Sequence, residues 1–181
     1  MASLALAAPV SAQQIGLLVV AHGAAAEWNA DVRATMAQVR WNRGPVALAF
    51  LMGPEAESSG WDSAAARLTR SGAASLVVVP LMVSTFGSHY RQVQYYAGVL
   101  PAIPAELLAH AHHADPLTVP AVIAPALDDA IEIGDVLADR WRVLEARNRR
   151  RPLLLVAHGP DTDQDAERWQ ANLARVAAPL R

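Results

Sequence analysis

Residues 15–23 read IGLLVVAHG. The run is apolar apart from one glycine until it reaches His22 and Gly23. A short continuous apolar run that stops at a glycine turn is typical of a strand buried on both faces, and such strands belong to parallel sheets. This stretch therefore predicts an α/β fold with a parallel sheet.

Strand-like and helix-like patterns alternate along the rest of the chain. They predict further strands over 46–51, 75–81 and 117–123, and helices over 28–40, 61–70, 88–99 and 128–147. Residues 101–116, rich in proline and histidine, are expected to be largely irregular, with room for one strand. The alternation predicts an open, doubly wound, mostly parallel sheet with right-handed crossovers, whose ligands bind at the carboxyl ends of the strands.

The chain also contains a repeat. Residues 153–159 (LLLVAHG) repeat residues 17–23 (LLVVAHG), and residues 169–181 align without gaps on residues 28–40. An internal duplication explains both matches. The sequence then divides into a first repeat over 15–147, an arginine-rich linker over 148–152 and the start of a truncated second repeat over 153–181.

Composition narrows the classes of partner. The chain has 181 residues, a formal net charge of -2 and a pI near 6.3, so it has no basic field to hold a nucleic acid. It has no cysteine, which leaves His, Asp and Glu as the metal ligands. It has no GxxxxGK[ST] loop for a nucleotide and no apolar run that approaches the ~20 residues of a membrane span.

The N-terminal sequence does not decide in which cellular compartment the protein lies. Residues 1–14 (MASLALAAPVSAQQ) are small and apolar, and residues 10–12 resemble a signal-peptide cleavage site. The basic residues that open a signal peptide are missing. The segment is either a signal-peptide remnant, which would place the protein in the periplasm, or an irregular N-terminus.

Two histidines follow predicted strands. His22 comes directly after the first strand, and His89 ends the stretch VSTFGSH (83–89), which leads from the third strand into a helix. Adjacent strand ends would bring the two imidazoles to one cleft. Such a pair suits a divalent cobalt, nickel or iron ion that keeps open positions for an incoming ligand. The alternative for each histidine is a purely structural role.

Two further groups of residues have less specific interpretations. His110, His112 and His113 form an AHAHH cluster, which is either an accessory metal site or a solvated loop with incidental affinity. Asp128 and Asp129 open the predicted helix over 128–147 and are expected to cap it and to complement its dipole.

Taken together, these features resemble one family. The strand-His-Gly opening, the Trp28-Asn29 helix, the strand VVVPLMVS (77–84) followed by His89, and the segment PALDDAIEIGDVLADR (125–140) are similar to CbiX-type sirohydrochlorin cobaltochelatases and ferrochelatases. These are class II chelatases, and the resemblance spans roughly residues 16–181. It implies a flavodoxin-like α/β fold that occurs singly, as a symmetric dimer or as two fused repeats, with the internal duplication matching the fused form.

The resemblance also implies roles for single residues. His22 and His89 correspond to the family's pair of metal-binding, catalytic histidines, and His158 is the second-repeat equivalent of His22. The family often has a glutamate shortly after its second strand, whereas here Glu55 and Glu57 are displaced, which leaves the catalytic carboxylate unassigned. A cytoplasmic location is implied as well.

The chemistry of metal insertion explains the need for histidine. Insertion exchanges two pyrrole N–H protons for one divalent ion, so the site must release its metal and offer a base. Sirohydrochlorin carries eight carboxylates, and guanidinium groups bind carboxylates in a bidentate fork. Arg91 is therefore a candidate for binding one acid arm, with a solvent-facing helix arginine as the alternative.

The leading prediction is a chelatase that inserts cobalt or ferrous iron, with nickel as a further candidate, into sirohydrochlorin or a related tetrapyrrole without a nucleotide. The alternative is a metal or tetrapyrrole carrier without turnover, and a third interpretation is an inactive domain that only dimerises. A lone βα unit after residue 152 must pack somewhere, which predicts either a homodimer or an exposed apolar face.

Overall fold

A computed structural model of the chain describes residues 13–103, 105–108, 117–148, 154–157, 159–160 and 162–180. The described residues form an α/β fold around one four-stranded sheet in which all strands are parallel, as the sequence predicts. Within these residues, every helix is too short or too polar to cross a membrane.

The strands and helices alternate in the predicted order. The strands are β1 (Gln14–Ala21), β2 (Val46–Phe50), β3 (Ala73–Leu81) and β4 (Ala121–Ile123). The helices are α1 (Ala26–Met36), α2 (Ala56–Ser59), α3 (Trp61–Arg70), α4 (Ser88–Tyr96), α5 (Ile131–Asn148) and α6 (Asp163–Ala177). Short 3-10 turns lie at Ala105–Leu107, Leu127–Asp129 and Ala178–Leu180.

The strand order is β2-β1-β3-β4, so β1 and β3 are the inner strands. Ala21, the last residue of β1, pairs with Phe50 of β2 and Leu81 of β3, and the three strands therefore end level with one another. The chain passes from β1 to β2 on one side and then returns across β1 to β3 on the other. Parallel sheets bind ligands outside the carboxyl ends of their strands at such a reversal.

The core explains why β1 is so apolar. Residues 17–21 of this strand are all buried, and Leu18 and Val20 belong to the main hydrophobic cluster together with Leu68 of α3 and Val93 of α4. Burying one large aliphatic side chain contributes about 1.5–3 kcal/mol. A polar residue inside β1 would therefore destabilise the scaffold that positions the site.

Several predicted elements are shorter in the structure. The helix predicted over 28–40 ends at Met36, and the helix predicted over 88–99 ends at Tyr96, shortly before Gly98 with φ +74°. The strand predicted over 117–123 is limited to residues 121–123, which pair with β3 alone. The helix predicted over 61–70 has the bounds of α3.

The start of α5 corrects another prediction. We expected a helix from Asp128, with Asp128 and Asp129 as caps, but α5 begins at Ile131 and Asp128 lies in the preceding 3-10 turn. The Asp128 carboxylate accepts hydrogen bonds from Thr85 and Asn172, which belong to other elements. Tertiary partners therefore replace the helix N–H groups that the sequence suggested. The side chain of Asp129 is not among those that the structure describes.

The beginning of the predicted second repeat also differs from expectation. Residues 154–157 contain no strand, and Leu154 and Val156 are 82% and 78% exposed. A strand needs a neighbour for its backbone hydrogen bonds, and these residues pair with none of the four strands. The following helix does form, as α6. The domain boundaries remain predictions, and residues 1–12 and 149–153 lie outside the description.

Candidate functional site

His22 is held in a tight turn at the end of β1. Its carbonyl accepts a hydrogen bond of 2.8 Å from the backbone N–H of Met52, which follows β2. Gly23 has φ +86°, and a Cβ at this position would lie 2.1 Å from the Met52 carbonyl oxygen. Only glycine fits here, because both the backbone conformation and the close approach exclude a side chain. The glycine turn predicted from the sequence therefore places the imidazole just beyond the sheet.

His89 reaches the same edge from β3. The loop after β3 folds back on itself, since the Ser84 hydroxyl accepts from the Phe86 N–H at 3.0 Å and the Ser84 carbonyl accepts from the Gly87 N–H at 3.4 Å. Gly87 then precedes α4, in which His89 is the second residue. This compact loop returns the chain towards β1 and so directs His89 to His22.

The structure brings the two histidines together. Their Nε2 atoms lie 3.2 Å apart, the ring centroids are 4.6 Å apart, and the ring planes are inclined by 79°. Both rings lie at the reversal point between β1 and β3, where open parallel sheets bind ligands. Proximity at the ends of two inner strands is the placement that the sequence predicts for this pair.

Each ring has a hydrogen-bond partner for its other nitrogen. His22 Nδ1 lies 2.7 Å from the Gly23 carbonyl oxygen, which can only accept, so Nδ1 carries the proton. His89 Nδ1 lies 3.0 Å from Gln92 Oε1, and the Gln92 amide nitrogen donates to the Tyr96 hydroxyl at 2.8 Å. When Nδ1 of a neutral ring carries the proton, Nε2 is the nitrogen that can bind a metal.

The distance between the Nε2 atoms fits a shared divalent ion. With nitrogen–metal distances of about 2.0–2.1 Å, a 3.2 Å separation corresponds to an angle of about 100° at the metal. Within the described part of the chain, no group of three or more His, Cys, Asp or Glu side chains could hold a metal. The two Nε2 atoms could therefore supply two ligands to one ion.

The histidines line an open pocket of about 570 Å³, a size within the range of small-molecule sites. Two tryptophans also line it: Trp28, at the start of α1, and Trp169, from α6. Residues 159 and 160 complete the wall on the α6 side. Residues 159–160 and α6 therefore contribute directly to the pocket, although residues 154–157 before them form no strand.

Arg91 has a partner within the chain. Its Nη1 donates to Asp165 Oδ2 of α6 at 2.8 Å, and this hydrogen bond is the main cause of the lowered pKa of Asp165. Thr162, the residue that caps α6, also donates to Asp165 Oδ2 at 2.8 Å. Arg91 therefore ties α4 to α6, and its binding to a substrate carboxylate remains a prediction.

Asp128 makes the second connection between the site and α6. Its carboxylate accepts from the Thr85 N–H at 3.0 Å, from the Thr85 hydroxyl at 2.8 Å and from Asn172 Nδ2 at 2.9 Å. The carboxylate is buried and so requires these donors. Sequence reasoning missed this role, since an Asp-Asp pair after a proline is indistinguishable from a helix start.

Glu55, the glutamate after β2, lies against α1. Glu55 accepts from Asn29 Nδ2 at 3.0 Å and forms an ion pair with Arg33, both in α1. The hydrogen bond from Arg33, followed by that from Asn29, lowers the pKa of Glu55. This carboxylate therefore supports the loops around His22.

The remaining predicted site residues, His110, His112, His113 and His158, lie outside the described residues. Their proposed roles stay predictions.

One comparison with known proteins is informative. The family model described as CbiX matches residues 16–144, which is most of the chain and includes β2–β4, all but the first two residues of β1, and both site histidines. No curated protein matches the chain.

Proposed function

This chain belongs to the CbiX family of tetrapyrrole metal chelatases, and we propose that it inserts cobalt or ferrous iron into sirohydrochlorin or a closely related macrocycle. The observation that carries the proposal is the 3.2 Å separation of the two Nε2 atoms, each on a ring whose other nitrogen is hydrogen-bonded. This arrangement favours a divalent ion that is held by the two histidines and then released to the macrocycle.

In the proposed reaction, His22 and His89 are the metal ligands and the proton acceptors. The ion binds to both Nε2 atoms, and the pyrrole nitrogens of the macrocycle take its open positions. As the ion moves into the ring, two pyrrole N–H protons leave, and each Nε2 lone pair released by the metal can accept one. Charge and protons balance without a nucleotide or a redox partner.

The macrocycle would lie in the pocket beside the histidines. Trp28 and Trp169 both line this pocket, and they occupy equivalent positions in the repeat predicted from the sequence. We propose on this basis that residues from 153 onward begin a second repeat whose helix supplies the second wall. Arg91 and Arg168 both pair with Asp165 of α6, and their guanidinium groups are the candidates for binding the peripheral carboxylates of the substrate.

The decisive test is anaerobic incubation of the protein with sirohydrochlorin and either Co²⁺ or Fe²⁺, followed by visible spectroscopy. Metal insertion should exceed the spontaneous rate, and His22→Ala and His89→Ala should reduce it to that rate. Trp41→Phe is a matched control, because Trp41 donates to the Ile15 carbonyl at the opposite end of β1.

The same experiment distinguishes a chelatase from a carrier without turnover. A protein that binds metal and macrocycle with defined stoichiometry but leaves the insertion rate at the spontaneous value would be a carrier. Insertion that persists in both histidine variants would overturn the assignment of the site.

A further inference from the structure

Asn29 is the one buried residue of α1 among those described, and it is fully buried. A buried amide needs hydrogen-bond partners to offset the loss of water. Asn29 Oδ1 accepts from the Ala24 N–H at 3.0 Å. Its Nδ2 donates to the Ala24 carbonyl at 3.2 Å and to Glu55 Oε1 at 3.0 Å. The side chain therefore holds the turn after His22 from both sides of Ala24.

One peptide group connects Asn29 to His22. The Ala24 N–H and the Gly23 carbonyl belong to the same planar peptide, in which the two bonds point in opposite directions. The N–H is directed to Asn29 Oδ1, and the carbonyl accepts from His22 Nδ1 at 2.7 Å. Rotation of this plane would break both hydrogen bonds at once.

Gly23 makes an external anchor necessary. Glycine adopts many backbone conformations with little steric cost, so the peptide that follows it can rotate easily. The close approach of the Met52 carbonyl requires a glycine at this position, so the turn cannot be stiffened by a side chain of its own. Asn29 supplies the constraint that the glycine lacks.

We propose that Asn29 is a positioning residue that keeps the proton of His22 on Nδ1 by orienting the Gly23–Ala24 peptide. Without this constraint the neutral ring can carry its proton on Nε2 instead. That proton would occupy Nε2, the nitrogen that lies 3.2 Å from His89 Nε2, and would compete there with a metal ion. Asn29 thus favours metal binding without touching the metal. The inference deepens the proposed function and rests on it.

Glu55 holds the Asn29 amide in turn. By accepting from Nδ2 it disfavours the flipped amide, in which the Asn29 oxygen would face the carboxylate. Glu55→Gln keeps an oxygen that can accept this bond while removing the charge that pairs with Arg33. It is therefore a suitable control for effects of the ion pair alone.

The test uses the full chain with ¹⁵N-labelled histidine, studied by NMR without metal and by calorimetric titration with Co²⁺ alone. In the wild type and in Glu55→Gln, the His22 signals should report a proton on Nδ1. In Asn29→Ala they should shift towards the Nε2-protonated form, and Co²⁺ affinity should fall by about tenfold, as for other groups that orient a metal-binding histidine.

A second variant keeps the test decisive if Asn29→Ala does not fold. Asn29→Asp combined with Glu55→Gln exchanges amide and carboxylate between the two positions. It retains the oxygen that accepts from the Ala24 N–H and loses the donor to the Ala24 carbonyl, so it isolates the bond to the Gly23–Ala24 peptide. It should keep the His22 proton on Nδ1. A folded double variant that loses this tautomer, or a folded Asn29→Ala that keeps both tautomer and Co²⁺ affinity, would overturn the inference. Neither result depends on chelatase activity, so failure of the proposed function would be seen separately.

Discussion

Arg91 and Asp165 join the helix that carries His89 to the helix that forms the far wall of the pocket. Arg91 Nη1 and Asp165 Oδ2 are 2.8 Å apart although 74 residues separate them in the chain, and both side chains are largely shielded from water. Because charge-assisted hydrogen bonds between shielded groups are stronger than surface ion pairs, this contact anchors α6 beside the site.

Removing the carboxylate should release α6. We expect Asp165→Ala to destabilise the protein by about 1–2 kcal/mol, since it leaves the Arg91 guanidinium without this partner and removes the acceptor of Thr162. Hydrogen exchange of α6 should increase more than that of β1. Asp163→Ala, in the same first turn but exposed, is the control and should change little. Equal effects of the two substitutions would contradict this role.

The histidine pair should matter for chemistry far more than for folding. We expect His89→Ala and His22→Ala to abolish metal insertion while the free energy of unfolding changes by only about 0.5–1 kcal/mol, because both rings lie at the pocket surface and outside the hydrophobic core. Urea unfolding and insertion assays on the same samples check this. Loss of folding in either variant would instead indicate a structural role.

Trp28 should contribute to macrocycle binding rather than to the insertion step. We expect Trp28→Ala to raise the KM for the macrocycle about three- to tenfold with kcat nearly unchanged, since an aromatic contact made equally in the ground and transition states affects binding alone. Steady-state kinetics against Trp41→Phe provide the comparison. A drop in kcat at constant KM would show that Trp28 orients the ring for insertion.

The Glu55–Arg33 pair should make the stability of the protein depend on pH. The hydrogen bonds from Arg33 and Asn29 hold the pKa of Glu55 below its ordinary value. The contribution of the ion pair to stability is therefore complete above the unfolded-state pKa of about 4.3. It is lost as the pH falls through the lower pKa of the folded state. We expect the difference in unfolding free energy between the wild type and Glu55→Gln to shrink in acid, as measured by urea titrations at several pH values. Glu57→Gln is the control, and a difference that is constant across the series would refute the prediction.

Self-association should cover the exposed apolar residues of α5. Ile131, Val136, Val143 and Leu144 are all at least 46% exposed. Such residues favour contact with a second copy of the chain. Sedimentation at several concentrations should show a dimer that Val136→Glu with Val143→Glu disrupts. A chain that stays monomeric at high concentration and still inserts metal would exclude a need for the dimer.

Local pattern alone determined much of this protein. The apolar run before His22 predicted β1, the periodicity of residues 61–70 predicted α3, and the alternation of elements predicted the parallel α/β sheet. Each of these depends on side chains a few positions apart, which the sequence displays directly. The place of His22 and His89 followed from the same logic, because the ends of inner parallel strands lie at one edge.

The tertiary structure alone decided which polar groups meet. Asn29 looks like any polar residue on a surface helix, and Asp128 looks like a helix cap, until the partners at Ala24, Thr85 and Asn172 are in place. The failure of residues 154–157 to form a strand has the same origin. A hydrogen bond or a strand pairing needs a second group that is distant in the chain, and the position of that group is set by the packing of the whole fold rather than by local periodicity.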